Sequence, residues 1–386
     1  MRRLLPLVLG MAALGLDAYV VAGILEVVAG DLGVPVPVAG QLVTVFTLSY
    51  ALLSPICATF AAGRPLRLVL LSALAVFTAG NALAALAPSW SLLLVSRVVA
   101  GFGAGLYSPM AAATAAALVP EHRRGRALAL VTAGLSGGTV AGLPLGLLLV
   151  SHGWRLTYWL VTVLGVLAFV TVALFVPTLR PAEPPPLRTR ITVLADRAVV
   201  PLLLVTVLST ATSIGMYTYV APFLTEVAAV RDPLWHLCAW GLGGLVGNLA
   251  IGTLIDRWRD TRALLSVLLT VLGLSLALLP LATSTFGTIA LMFLWGAGGW
   301  SCPAPQQHRL LALKPAQGPV AISLNASSIY VGSAVGAAVG GTLLATGVGI
   351  AWLPLLFGAG AVAAAMLNLL ITERPTRHPA GDTVER

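Results

Sequence analysis

Charge is what this chain has least of. Of its 386 residues 9% are charged and 58% hydrophobic, and mean hydropathy is +0.97. A water-soluble domain carries about 25% charged residues, so this composition excludes a soluble enzyme, a nucleic-acid-binding domain and a disordered chain. Lysine is nearly missing. Its single occurrence, Lys314, follows Leu313, so there is no Gly-Lys-Ser/Thr phosphate loop and no ATP hydrolysis of that kind. Cysteine is scarce: Cys57, Cys238 and Cys302 are odd in number and far apart, which indicates neither a disulfide framework nor a zinc site. No His-Glu-x-x-His or Cys-x-x-Cys pattern occurs, and the five histidines are scattered.

Long apolar runs are abundant. A spanning helix needs about 20 apolar residues, so twelve would use roughly 240 of them. That leaves short loops, one linker and a tail. The runs fall near 4–28, 38–60, 68–87, 91–118, 125–150 and 155–177, then near 199–227, 234–255, 263–282, 286–312, 317–346 and 349–371. The expected fold is therefore an all-α integral membrane protein with twelve transmembrane helices in two six-helix bundles. The divisions are 1–177, a cytoplasmic linker 178–198 rich in Pro and Arg, 199–371, and a cytoplasmic tail 372–386. The segment after Met1-Arg2-Arg3 is interrupted by Asp17 and reads as the first span, not a leader.

The 22 Lys and Arg residues give a net charge of +9. That excess does not call for nucleic acid, because the basic residues cluster between apolar runs. With the N-terminus inside and twelve spans, all but Arg97, Arg155 and Arg231 lie on the cytoplasmic side. That is the bias expected for twelve spans with both termini in the cytoplasm. The short basic loops 63–67 and 256–262 recur at the same place in each half, as an internal duplication predicts. Transporters built from parallel repeats hold substrate at the midplane between them.

Ionisable residues inside spans are costly and usually used. Three stand out: Asp17 and Glu26 in the first span and Arg97 in the fourth. At 1.5 Å rise per residue, Asp17 and Arg97 fall at matching depth, so an ion pair can form. Asp17 then reads as a proton carrier or as half of a static pair. Glu26 is a second coupling candidate near the outer end. Arg97 either tunes the proton affinity of Asp17 or is structural.

Glycines form a second constellation. The fifth span carries Gly134, Gly137, Gly138, Gly142 and Gly146, with Pro144 as a kink point. The eleventh carries Gly332, Gly336, Gly340 and Gly341, and the eighth Gly241, Gly243, Gly244 and Gly247. Small residues four apart allow close helix approach. The choice is between packing alone and a pliable seam between the halves. Substrate-cavity candidates are Tyr19, Tyr107, Tyr217, Tyr219, Trp300 and Asn325, with Phe223 and Trp295 beside them. Asn81, Asn248, Gln306 and Gln307 are further buried or helix-end amides.

Five stretches carry a pattern: Asp17-Ala-Tyr-Val-Val-Ala-Gly-Ile-Leu, Ser96-Arg97 through Gly105, Gly138-Thr-Val-Ala-Gly-Leu-Pro-Leu-Gly146, Tyr217-Thr-Tyr-Val-Ala-Pro-Phe-Leu224, and Ala304-Pro-Gln-Gln with Ser323-Leu-Asn-Ala-Ser327. Together they resemble the major facilitator superfamily, in its twelve-span drug and sugar efflux branch. Their order and spacing carry the resemblance across 4–371. It implies alternating access and export driven by inward proton flow, with no cofactor beyond the proton gradient. It also makes Gly138, Gly142, Pro144, Gly146, Asp256 and Arg257 conformational motif residues. Two departures are plain. The loop 63–67 lacks the acid its signature carries, whereas 256–262 keeps Asp256 and Arg257. The fifth-span motif has Leu-Pro where the strict form has Gly-Pro.

The sequence thus predicts an inner- or plasma-membrane exporter, a functional monomer handling small neutral or amphipathic compounds and protons. An uncoupled or importing facilitator is the alternative. A membrane receptor or enzyme is the remote one, since neither a catalytic constellation nor a soluble signalling segment is present.

Overall fold

The computed structural model describes residues 2–60, 64–120, 123–179, 192–258 and 260–371. The Pro-rich linker from 180 to 191 and the tail from 372 lie outside the described residues. The described chain is almost wholly helical. We number the long helical units α1 (Leu5–Leu32), α2 (Gln41–Phe60), α3 (Leu66–Leu86), α4 (Trp90–Ala117), α5 (Arg124–Val150) and α6 (Arg155–Phe175). They continue as α7 (Val199–Thr218, extended by Val220–Glu226), α8 (Leu234–Arg257), α9 (Thr261–Leu278), α10 (Thr285–Ser301, extended by Pro303–Leu313), α11 (Gly318–Ala345) and α12 (Leu353–Leu370). Among the described residues nine helices are long and apolar enough to cross a membrane by themselves, and ten if the bent α5 is one span.

Two spans expected to be continuous are broken, and proline explains both. The seventh, expected over 199–227, breaks at Tyr219, whose φ −112° and ψ 16° are not helical. Pro222 lacks an N–H, and its ring crowds the carbonyl four residues back, that of Thr218. The tenth, expected over 286–312, is interrupted at Cys302 just before Pro303. In α5 the axis bends by 41° between Arg126–Gly142 and Pro144–Val150, the proline again removing one rung of the ladder.

Packing repeats with an offset of six helices. In the first six, α1 packs on α5 and α6, α2 on α4, and α3 on α4 and α6. In the second six, α7 packs on α11 and α12, α8 on α10, and α9 on α10 and α12. The contacts between bundles obey the same rule: α2 meets α11, and α8 meets α5. The molecule is thus two pseudo-symmetric six-helix bundles related by a swap of halves.

Glycine makes the tightest of these contacts. Gly134, Gly138, Gly142 and Gly146 face the backbone carbonyls of Val8, Ala12, Leu16 and Val20 in turn, a four-rung ladder of small residues along α1. Gly332 and Gly336 lie likewise on Val207 and Ala211 of α7. Both stripes lie inside a bundle. For these six glycines the seam alternative is corrected, since a four-residue repeat marks a close-packed face but not which helix meets it, whereas Gly341, last of the eleventh span's run, does meet the other half. At the seam itself, Gly241 packs on Val140 and Gly341 on the Pro37 carbonyl.

Candidate functional site: a buried ion pair and an aromatic cluster between the bundles

Asp17 and Arg97 meet. Asp17 lies mid-α1, where helical periodicity turns it into the first bundle, and it is 0% exposed. Arg97 Nη1 donates to Asp17 Oδ1 at 2.7 Å, and Nη2 reaches the Asp17 carbonyl at 3.5 Å. Asn81 of α3 donates from Nδ2 to Asp17 Oδ2 at 3.2 Å and to the Phe77 carbonyl at 3.1 Å. The Arg97 guanidinium lies 4.3 Å from the ring centroid of Phe46 and 5.5 Å from that of Tyr158, favourable cation–π placements. Helices α1, α2, α3, α4 and α6 thus converge on one charged pair. Sequence reasoning placed the pair by depth and singled out Asn81 as a buried amide. It missed Phe46 and Tyr158, because aromatic residues in apolar runs carry no distinguishing signal.

Tyr19 is two residues from Asp17, about 200° around the helix, and faces the opposite way, across the gap to the second bundle. Its ring centroid is 5.3 Å from Tyr217, 6.2 Å from Trp240 and 6.4 Å from Trp300. Tyr217 and Trp240 are 4.2 Å apart, Trp240 and Trp300 5.4 Å, and Trp240 and Trp295 6.0 Å. Trp295 Nε1 donates to Ser213 Oγ at 3.0 Å. Two polar atoms in this cluster, the Tyr217 hydroxyl and Trp240 Nε1, are buried without a hydrogen-bond partner. The residues themselves are 2% and 1% exposed. Buried donors left unpaired are uncommon and mark a place where a partner is wanted. Trp240 was not among the sequence candidates. Its place four and seven residues before Gly244 and Gly247 on α8 was the available signal.

The other candidates fall elsewhere. Tyr107 faces α1, its ring set over Gly10 and its hydroxyl 3.5 Å and 3.4 Å from the Pro6 and Leu7 carbonyls. Tyr219 lies at the α2–α11 contact against Gly40 and Gly340, its hydroxyl donating to the Ala337 carbonyl at 2.9 Å. Asn325 belongs to a polar chain inside the second bundle. Its Oδ1 accepts from Thr206 Oγ1 at 2.7 Å, and Gln306 Nε2 donates to the Leu202 carbonyl at 2.7 Å. Arg309 donates to Gln306 at 3.2 Å and to Asn368 Oδ1, while Asn368 donates to the Arg262 carbonyl and Ser266. Glu26 is exposed near the end of α1, within electrostatic reach of Glu226. Asp256 and Arg257 are exposed at the end of α8.

Several contacts join the two bundles among the described residues. The rings of Tyr50 and Tyr330 stack at 3.5 Å in mid-helix. From there the described ring and glycine contacts run toward the end that carries the α1–α2 and α7–α8 connections. Toward the other end α8 exposes Leu245, Val246 and Leu249.

Two pseudo-symmetric helical bundles with a buried ion pair and an aromatic seam fit the plan of two-repeat membrane transport proteins. The family profile described as Major Facilitator Superfamily matches residues 7–315 and 203–385, and the chain belongs to that superfamily. It is 30% identical over 361 residues to the uncharacterized MFS-type transporter YbcL of Bacillus subtilis (strain 168), covering 92% of each chain. It is 29% identical to the inner membrane transport protein YdhP of Escherichia coli (strain K12), covering 97% of this chain and 96% of that protein. With the chloramphenicol resistance protein of Streptomyces lividans it shares 32% identity over 88% of each. Among solved structures, a bacterial homolog of the human lysosomal transporter Spinster, in an inward-facing and occupied conformation, superposes with a TM-score of 0.78. That match has 18% identity and covers 95% of this chain and 96% of that one.

Proposed function

We propose that this transporter is a proton-coupled exporter of small neutral or amphipathic compounds, working by alternating access between halves 1–177 and 199–371. The linker 178–198 and tail 372–386 would lie in the cytoplasm with both termini. A single chain in the inner membrane would be the working unit. The observation that carries this reading is the aromatic cluster of Tyr19, Tyr217, Trp240, Trp295 and Trp300 between the bundles. It offers flat apolar faces, two unpaired donors and no formal charge. Such a lining fits a molecule with a ring or sugar face and an acceptor oxygen, and it suits a dianion poorly. The chloramphenicol resistance protein among the relatives is consistent with export of a neutral compound.

Asp17 is the one carboxylate buried among the described residues, which makes it the proton-carrying candidate. Since Tyr19 and Asp17 leave α1 on opposite sides, substrate and proton would not compete for one group. Coupling would pass through displacement of α1, which touches both. Arg97 would set the carboxyl's proton affinity, and the small-residue face of Gly138, Gly142 and Gly146, with Pro144, would let α1 and α5 move as one piece. Asp256 and Arg257 would act at the cytoplasmic ends. The completeness with which Arg97 and Asn81 enclose Asp17 favours one second reading: a static pair in an uncoupled facilitator.

Everted vesicles energised with a pH gradient separate the two. Under coupling, added substrate releases protons from wild type and not from Asp17→Asn. If a labelled compound crosses in wild type with no proton movement, the facilitator reading stands and coupling is wrong.

A further inference from the structure

A second polar space lies away from the seam, at the end of the second bundle where α8 and α10 begin. It is a cavity of about 340 Å³ lined by residues 228–232, Trp235 and His236 from the α7–α8 side and by 282–285, Thr288 and Ile289 from the α9–α10 side. That volume is at the low end of small-molecule sites, about 300–1,000 Å³. Two features of the lining can receive an anion. The first is the start of α10. Ser284 Oγ accepts from Gly287 N at 3.1 Å and its carbonyl from Thr288 N at 3.0 Å. The N–H groups of Thr285 and Phe286 stand before these in the first turn, with no partner inside the helix, at the positive end of a 17-residue helix. The second is Arg231, exposed on the facing loop.

The decisive group is His236. It is 2% exposed, it lines the cavity, and neither ring nitrogen has a hydrogen-bond partner. A buried imidazole bonded to nothing forfeits the stability a partner would give. Nearby, the Thr288 hydroxyl donates to the Ser284 carbonyl and Asp232 Oδ1 accepts from Leu234 N.

We infer that this cavity binds a phosphate oxyanion, held by Arg231, His236 and the first turn of α10. Asp232 also lines the cavity, so its formal charge offsets that of Arg231. A singly charged phosphodiester is accommodated there better than a dianion. The surroundings fit the same chemistry: Trp235 in the lining and Leu281 and Phe286, adjacent in sequence to lining residues, are among the most exposed large apolar side chains of the protein, as expected of anchors at a membrane interface. A phospholipid headgroup and free phosphate share the recognised group, and the lipid is the source that the charge balance and rim favour.

The test uses the full chain, purified in neutral detergent and stripped of lipid. Dioleoylphosphatidylglycerol, the phosphate-free diacylglycerol and inorganic phosphate are added separately, and binding is read by native mass spectrometry and by Tm. The expected result is retention of the phospholipid but not of diacylglycerol. Affinity should fall about tenfold or more in Arg231→Gln and in His236→Gln, as for loss of a charge-assisted or buried hydrogen bond. Displacement of the lipid by millimolar phosphate would keep the oxyanion site and make free phosphate its occupant. Equal retention of phospholipid and diacylglycerol, or unchanged affinity in Arg231→Gln, would overturn the assignment. Arg231 is on an exposed loop, so that variant keeps the test decisive even if His236→Gln fails to fold.

Discussion

Arg97 keeps its charge at any accessible pH, so the first bundle is organised around a cation that cannot be neutralised. Asp17 balances it at 2.7 Å, and both side chains are shut away from solvent. Removing one partner of such a pair leaves an uncompensated buried charge, at a cost of about 3–5 kcal/mol, whereas removing both can be far milder. Arg97→Gln is therefore expected to lower Tm sharply, and Asp17→Asn/Arg97→Gln to recover most of the loss. Thermal melts of the purified single and double variants measure this. Equal melting of the two would mean that the pair contributes shape rather than charge balance. These residues were legible because an ionised group in an apolar run stands out and its depth is simple arithmetic. The aromatic seam was legible only in part: Tyr19, Tyr217 and Trp300 were named but Trp240, at its centre, was not. An unlabelled tryptophan in an apolar helix looks the same whether it faces lipid, core or cavity.

Helices in lipid gain nothing from hiding apolar surface from one another, so close packing and small residues must hold them. The α1–α5 ladder shows what that demands. A Cβ on Gly138 would fall inside the Ala12 carbonyl oxygen and against the Leu16 amide, while one on Gly137, its neighbour, would meet nothing within 4 Å. Gly138→Ala is thus expected to destabilise by about 1–3 kcal/mol or more through overpacking. Gly137→Ala should be neutral or mildly stabilising, because alanine favours helix over glycine. A paired comparison of melting and detergent stability decides it; similar losses in both would mean that α5 lies in another register on α1. The stripe itself was visible in the sequence, but its partner was not, since i, i+4 spacing defines a face and leaves open which helix it meets. The breaks at Tyr219 and Cys302 were readable in principle from Pro222 and Pro303, and were hidden because hydropathy runs straight through both.

At the scale of the molecule, the two bundles are joined in the middle and toward one end. Tyr50 on Tyr330, Gly40 on Tyr219 and Val140 on Gly241 are contacts that close one bundle on the other. Alternating access requires that closure to part while each bundle moves as a body. The interlocked glycine ladders within the bundles make the seam, not their interiors, the place that yields. Fixing the seam should then stop transport without unfolding anything. In a chain with Cys57, Cys238 and Cys302 replaced, cysteines at Tyr50 and Tyr330 joined by a short, reducible bis-methanethiosulfonate reagent should abolish transport. A reductant should restore it, and either single cysteine treated alike should leave transport largely intact. Transport that persists with the bridge in place would show that the bundles need not separate at this contact, and the pathway would have to open elsewhere, at α5 and α8.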